Sequence, residues 1–293
     1  MVRNVVDLRP RGAARRSSDR RYEWCLAQDG IEIAALGAPS DGAPASQDGW
    51  LAFARPAFVR CAVLDGATSP ASAATYCGLD AATWAAQVTR ASLLADDDIA
   101  ACLWRANKML HDPTALRAGA RPQAAVVVAD IRARWDGDAS AQVVRASDCL
   151  AFARYGPRWV SLFPGPRLTA DAAQVWDAWC HTHPEASEQR RADAEDRALG
   201  APAAWRTAAI GRFAEPRLET ADADGFDEML LASAAAGITI DDLERLDDVD
   251  QLETFDRHGG ARNHARGDAT IVRWRRVDAP NPHHPSRRSR AVR

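Results

Sequence analysis

Hydrophobic positions along the chain fall into short alternating runs bounded by turn residues and longer stretches with helical spacing, and the two kinds come in blocks. Tyr22 to Ala35 and Phe58 to Leu64 read as strands, with Asp41-Gly42-Ala43-Pro44 breaking the chain between them. From Ser72 to Leu94 the spacing turns helical, placing Leu79, Trp84, Val88, Ala91 and Leu94 near one face. A second helix opens at Asp96-Asp97-Asp98, where acids suit the positive end of the helix dipole, and carries Ile99, Leu103, Ala106 and Leu110 on one stripe. The triple aspartate is thereby explained as capping and not as a metal cluster. Gln123 to Arg132, Ala141 to Ala146, Leu150 to Arg154 and Trp159 to Phe163 follow in quick succession, the last two separated by Gly156-Pro157, and this predicts an antiparallel meander. Asp171 to Asp196 is helical with a break at His183-Pro184. Glu215 to Thr220 and Asp227 to Ser233 return to strand, Asp241 to Phe255 forms a helix capped by Thr239, and Ala269 to Arg276 is a closing strand. Runs of strands separating runs of helices make the fold class α+β with mostly antiparallel sheets.

Composition narrows the function classes more than the fold. The 293 residues, 47% hydrophobic, can bury one large core or two small ones, and the organisation favoured is one domain over 22–276 between tails at 1–21 and 277–293. Both tails are rich in Arg, Pro and Ser and read as disordered. A net charge of −3 gives no global electrostatic case for nucleic acid or a membrane surface. Of the 37 basic residues only Lys108 is a lysine, which leaves 36 arginines. With the abundant alanine, that skew reads as the codon bias of a G+C-rich bacterial genome and not as a phosphate-binding signal. The six cysteines are scattered singly with no C-x-x-C pair, as expected of reduced thiols. With no apolar run of membrane-spanning length and a charged N-terminal segment, the expected setting is the cytoplasm.

Two apolar runs deliver a carboxylate to a strand edge: Val63-Leu64-Asp65-Gly66 and Gly267-Asp268-Ala269-Thr270. Hard divalent cations are bound by oxygen at such positions. Between and beside them lie Ser46-Gln47-Asp48, Ala146-Ser147-Asp148-Cys149, Leu168-Thr169-Ala170-Asp171, Thr207-Ala208-Ala209-Ile210-Gly211 and Leu230-Leu231-Ala232-Ser233. Each piece alone is weak, but seven in this order, over residues 22 to 276, resemble the metal-dependent protein phosphatases of the type 2C family. The resemblance implies a four-layer α-β-β-α sandwich with the two sheets inside. It also implies manganese or magnesium ions that polarise a water for attack on phosphoserine or phosphothreonine, a sound use of hard cations. It assigns Asp65 as the bridging carboxylate, the Gly66 carbonyl as a ligand and Asp48 as a nearby acid, and Asp268 joins the metal candidates as a substitute if a bulge re-aims it. Asp148, Gln47 and His264 would line the cleft.

The sequence departs from the family where a second metal would sit. The family continues the strand at Leu230-Leu231-Ala232-Ser233 with Asp-Gly, and this chain has Ala234-Ala235. The closing motif carries its ligand at the position of Gly267, one residue before Asp268, and a one-residue shift at a strand start turns a side chain to the other face. The phosphate-gripping arginine expected shortly before Gln47 is absent from Gly42-Ala43-Pro44-Ala45. One ion rather than two, or none, is the implication. Two functions stay open: a catalytically impaired domain that binds a phosphoprotein or regulatory partner, or a working phosphoserine/phosphothreonine phosphatase. No catalytic side chain is assigned in either, because the attacking group would be a metal-activated water.

Other groups carry chemistry less directly. Cys180-His181-Thr182-His183-Pro184-Glu185 offers transition-metal ligands within six residues, and a zinc-dependent hydrolase built on Cys180 and His183 is a third reading beside that of a polar loop. The acidic stretch Glu219, Asp222, Asp224, Asp227 and Glu228 reads as a hairpin loop that could donate replacement ligands. His258 and His264 read as loop histidines or as acid/base groups near the cleft. Ten tryptophans read as packing, not as base-stacking platforms.

Overall fold

A computed structural model describes residues 22–28, 31–38, 47–55, 57–67, 75–76, 79–95, 97–111, 122–133, 138–165, 167–236, 238–245 and 269–276. The strands, in chain order, are β1 (Tyr22–Gln28), β2 (Ile31–Ala38), β3 (Gly49–Ala54), β4 (Val59–Ala67), β5 (Thr75–Tyr76), β6 (Leu79–Asp80), β7 (Gln123–Ala133), β8 (Ala139–Ala146), β9 (Leu150–Tyr155), β10 (Arg158–Ser161), β11 (Glu219–Asp224), β12 (Glu228–Ala232) and β13 (Ala269–Arg276). The helices are α1 (Ala81–Leu93), α2 (Ile99–Leu110), α3 (Ala170–Thr182), α4 (Glu188–Ala198) and α5 (Ile240–Arg245). Two antiparallel sheets are built from these strands, ordered β1-β2-β13-β12-β9-β10 and β11-β8-β7-β4-β3, with β5 and β6 forming a small separate ladder.

Side-chain alternation along the strands creates the layers. On β4 and β7 the odd positions Cys61, Val63, Val127, Ala129 and Ile131 are buried among Ala151, Ala153, Met229, Leu231, Val272 and Trp274 of the other sheet. Even positions face the opposite way: Ala62, Leu64, Val126 and Val128 pack under α1 and α2 through Ala85, Val88, Leu93, Leu103 and Ala106. The outer face of the six-stranded sheet, Phe152, Leu230 and Ile271, is covered by Ile238 and Leu243 around α5. This is the expected α-β-β-α order. A fourth apolar cluster, Leu168, Ala172, Leu199, Trp205 and Ala208, belongs to the segment carrying α3 and α4.

An ion pair fixes the helical layer to the five-stranded sheet. Arg60 and Asp130 sit directly opposite each other on β4 and β7, on the face turned to the helices. Arg60 forms a two-pronged bond to the carboxylate at 2.6 and 2.7 Å and donates to the carbonyls of Leu93, Ala95 and Asp97 where α1 turns into α2. Its side chain is fully buried, with Phe58 beneath the guanidinium. One arginine thus neutralises a buried carboxylate and ties down the carbonyls at the end of a helix.

Several local expectations change. Tyr22 to Ala35 is not one strand but the hairpin β1–β2, with Gln28 opposite Ile31 across the turn signal Asp29-Gly30. β3 was not anticipated, since its burial does not alternate cleanly. α1 starts at Ala81, not Ser72, because Asp80 caps it by accepting from the Thr83 amide, so Leu79 lies in β6. Leu94 ends that helix and is 48% exposed, off the apolar stripe. The predicted meander is divided between two sheets, β7 and β8 in one and β9 and β10 in the other. The stretch 219–228 is likewise no hairpin loop: β11 lines the edge of one sheet and β12 lies inside the other, joined through Gly225 at φ 71°. Asp98 caps α2 as expected, the break at His183-Pro184 separates α3 from α4, and Thr239 shares reciprocal bonds with Asp242 at the start of α5. The tails, and the expected continuation of α5 to Phe255, lie outside the described residues.

Candidate metal and phosphate cleft

Strand register gathers the candidate residues at one end of the sandwich. Asp65 is opposite Ala125 near the start of β7, and the neighbouring Val126 is opposite Ala146, the last residue of β8. The chain then leaves that sheet through Ser147-Asp148-Cys149 and begins β9 at Leu150, which pairs with Ala232 at the end of β12. Ala234 follows in a short 3-10 turn. Asp65 at the end of β4, Asp148 in the β8–β9 connector and Ala234 in the turn after β12 therefore share one rim.

Asp65 continues the inward-facing series Cys61, Val63, which sends its side chain into the space between the sheets. Gly66 faces α1 instead, and no side chain fits there. A β-carbon would lie 2.6 Å from the Ala82 carbonyl oxygen and 2.9 Å from that of Gln47. This close approach brings the 47–48 segment and the start of α1 against the end of β4. Gln47 donates to the α1 cap Asp80 at 3.2 Å, and Asp48 is half-buried.

The connector 147–149 is held open by its own bonds. Ser147 adopts a left-handed conformation at φ 74°, its amide donates to Thr207 Oγ1 at 2.9 Å, and its hydroxyl donates to Asp148. Thr207 is fully buried. The segment Thr207 to Gly211 then runs beside β7, exchanging amide–carbonyl bonds between Ile210 and Ala124, and Gly211 turns away at φ 90° with its amide bound by Asn107.

Cys149 reports the electrostatics of the rim. Its thiol is completely buried, and its pKa is pushed well above the ordinary value, first by burial and then by the charges of Asp65, Asp148 and Asp48. The carboxylates of Asp65, Asp148 and Asp48 thus lie in the wider surroundings of that thiol. They are hard oxygen donors, suited to magnesium or manganese and unsuited to soft metals. Among the described residues, however, no group of three or more His, Cys, Asp or Glu is arranged to hold a metal ion.

The opposite side of the rim is poor in donors. Ser233 is buried and engaged with β13, its amide donating to the Thr270 carbonyl while its hydroxyl accepts from the Thr270 amide. Ala234, half-buried, presents only a methyl. The acids of 219–228 are largely occupied elsewhere: Glu219 with Arg145 and Arg206, Asp227 with the Gly156 amide, Glu228 with Arg154 and Arg273. His183 stacks on Trp179 with centroids 4.6 Å apart and lies 3.0 Å from the Trp179 carbonyl, which is helix-end packing and not metal ligation. Asp268, Gly267, His258 and His264 lie outside the described residues.

Sequence reasoning missed one cation at this rim. Arg167, in the stretch leading into α3, has its guanidinium 3.9 Å from Asp148, 3.6 Å from Glu195 of α4, and over the Trp205 ring at 5.2 Å. Its carbonyl accepts from the amides of Arg206 and Thr207. The signal was present in the motif order, Arg167 standing immediately before Leu168-Thr169, but every arginine had been set aside as codon bias.

No protein-family model and no curated protein matches the sequence. Solved structures do match by shape. RsbX in complex with magnesium is 11% identical, with 87% of this chain and 100% of that one covered at TM-score 0.55. PppA, a key regulatory component of T6SS in Pseudomonas aeruginosa, is 15% identical over 85% and 99% of the two chains, TM-score 0.57. The Mycobacterium tuberculosis serine/threonine phosphatase PstP/Ppp is 15% identical over 84% and 99%, TM-score 0.53. Two antiparallel sheets between helical layers, with that coverage, give this chain the type 2C serine/threonine phosphatase fold.

Proposed function

We propose that the domain spanning residues 22–276 is a catalytically impaired phosphatase-like module that recognises a phosphoprotein or regulatory partner. The observation that carries the reading is Ala234, a methyl on the rim shared by Asp65 and Asp148, where a second ion would need a carboxylate. Among the described residues, one side of the cleft keeps oxygen donors, and the other presents the Ala234 methyl and the engaged Ser233 hydroxyl. A hard cation bound there would polarise a phosphoryl oxygen or a water. Asp65 and the Gly66 carbonyl would hold it, Asp48 would orient its remaining coordination, and Asp148 would mark the outer edge. Asp268 and His264 are further candidates from sequence, and one magnesium or manganese ion is the expected complement. A regulatory role is in keeping with PppA, which is described as a regulatory component. Among the described residues no helix is long and apolar enough to cross a membrane.

The alternative is a working manganese- or magnesium-dependent phosphoserine/phosphothreonine phosphatase, favoured by the register that brings Asp65 at the end of β4 near the β8 exit leading to Asp148. Hydrolysis of an aryl phosphate and of a phosphothreonine peptide across a manganese titration separates the two, with Asp65→Ala as the blank. The impaired reading expects no turnover above the blank from folded protein. Turnover that saturates with manganese and disappears in Asp65→Ala would establish the active enzyme instead.

A further inference from the structure

Resting on the recognition reading above, we propose that Arg167 grips the phosphate of the ligand. A phosphomonoester approaching this rim meets the carboxylates of Asp48, Asp65 and Asp148, whose combined negative charge a single divalent ion would not cancel, so a cation at the edge where it enters favours recognition. Arg167 stands there, 3.9 Å from Asp148, with a side chain 36% exposed.

Its present contacts hold it without saturating it. The two carboxylates lie at 3.9 and 3.6 Å, well beyond the about 2.7–2.9 Å of a charge-assisted hydrogen bond. A cation–π contact, with the guanidinium carbon 5.2 Å from the Trp205 ring centroid, helps hold Arg167, while its long carboxylate contacts leave N–H donors able to form a fork with phosphate oxygens. Trp205 is itself buried and donates to the Leu199 carbonyl at 2.6 Å. The backbone of Arg167 is tied through the Thr207 amide to the residue whose hydroxyl positions Ser147 beside Asp148. An arriving phosphate would therefore exchange with Asp148 for the guanidinium without moving the scaffold. This cation comes from the segment leading into α3, not from the stretch before Gln47.

The test is binding of a phosphothreonine peptide and its unphosphorylated counterpart in magnesium buffer, read by calorimetry, for wild type, Arg167→Met, Arg167→Lys and Asp148→Asn. Methionine keeps the aliphatic stem against Trp205, and thermal melting checks that the fold is unchanged. The expected result for Arg167→Met is a loss of about tenfold or more for the phosphopeptide, as for one charged hydrogen-bonding pair, with the unphosphorylated peptide unaffected. Lysine should recover part of the loss, since it supplies charge without the fork. Asp148→Asn, which removes the competing carboxylate, should tighten phosphopeptide binding several-fold. Phosphate discrimination kept intact in Arg167→Met overturns the assignment alone. A wild type that binds the two peptides equally overturns the recognition reading, and this assignment with it.

Discussion

Replacing Asp130 by alanine strands the Arg60 guanidinium in a fully buried position between β4, β7 and the α1–α2 turn. The Leu93, Ala95 and Asp97 carbonyls still accept from it, but they carry no compensating charge. Breaking one side of a buried pair costs about 3–5 kcal/mol, and at about 2–4 °C per kcal/mol for a chain of this size the melting temperature should fall by roughly 6–20 °C. Arg60→Met should cost a similar amount, because it leaves the carboxylate charged and buried. The double variant Arg60→Met/Asp130→Leu removes both charges and should be more stable than either single variant. It will still fall short of wild type, since three carbonyls lose their donor at about 1 kcal/mol each. Differential scanning calorimetry on the four proteins closes the double-mutant cycle. Single variants that cost less than about 1 kcal/mol, or a double variant as unstable as the sum of the singles, would refute the coupling described.

Gly66→Ala should destabilise by about 1–3 kcal/mol, because all the atoms nearest the added methyl are backbone and cannot rotate away; an unchanged melting temperature would contradict that packing. Thr207→Val keeps the shape but leaves the buried Ser147 amide without its acceptor, and should cost about 1–3 kcal/mol in chemical denaturation. Burial, helped by the charge of Asp130, pushes the Cys61 thiol up from 9.0 to about 12. The native state favours the neutral thiol, so this contribution is complete below about pH 9 and is lost as pH rises toward 12. Three pH units correspond to about 4 kcal/mol. Denaturant unfolding across alkaline pH should therefore show a decline that is shallower in Cys61→Ala, and parallel curves would count against it.

What the sequence disclosed depended on how local the signal was. α2 was legible because Ile99, Leu103, Ala106 and Leu110 repeat at helical spacing behind Asp98, and β4 because an apolar run ends at Asp65-Gly66. β3 escaped because its Trp50 and Phe53 are only half-buried, and α1 was begun too early because the apolar spacing through Leu79 outweighed the break signal of Gly78. The hairpin β1–β2 was merged into one strand despite Asp29-Gly30. At the site, Asp48, Asp65 and Asp148 were named from motif order, and strand register sets Asp65 near the β8 exit that leads to Asp148. Arg60 and Arg167 were missed for a common reason. An arginine count inflated by base composition says nothing about any one arginine, whose role appears only when strand register sets Asp130 opposite Arg60 or when Asp148 and Arg167 approach from 19 residues apart.

The placement of β13 between β2 and β12 also governs how the molecule can be made. Arg275 on β13 pairs with Glu32 on β2 across a sequence separation of 243 residues. During synthesis β2 emerges long before its partner, and its inner edge, like that of β12, carries unsatisfied amides and carbonyls until the last strand arrives. Closure of the sheet is thus a late, long-range event that sets a slow folding rate. A nascent or truncated chain lacking β13 would present two open strand edges to its neighbours, which makes delivery of this strand the step most exposed to aggregation.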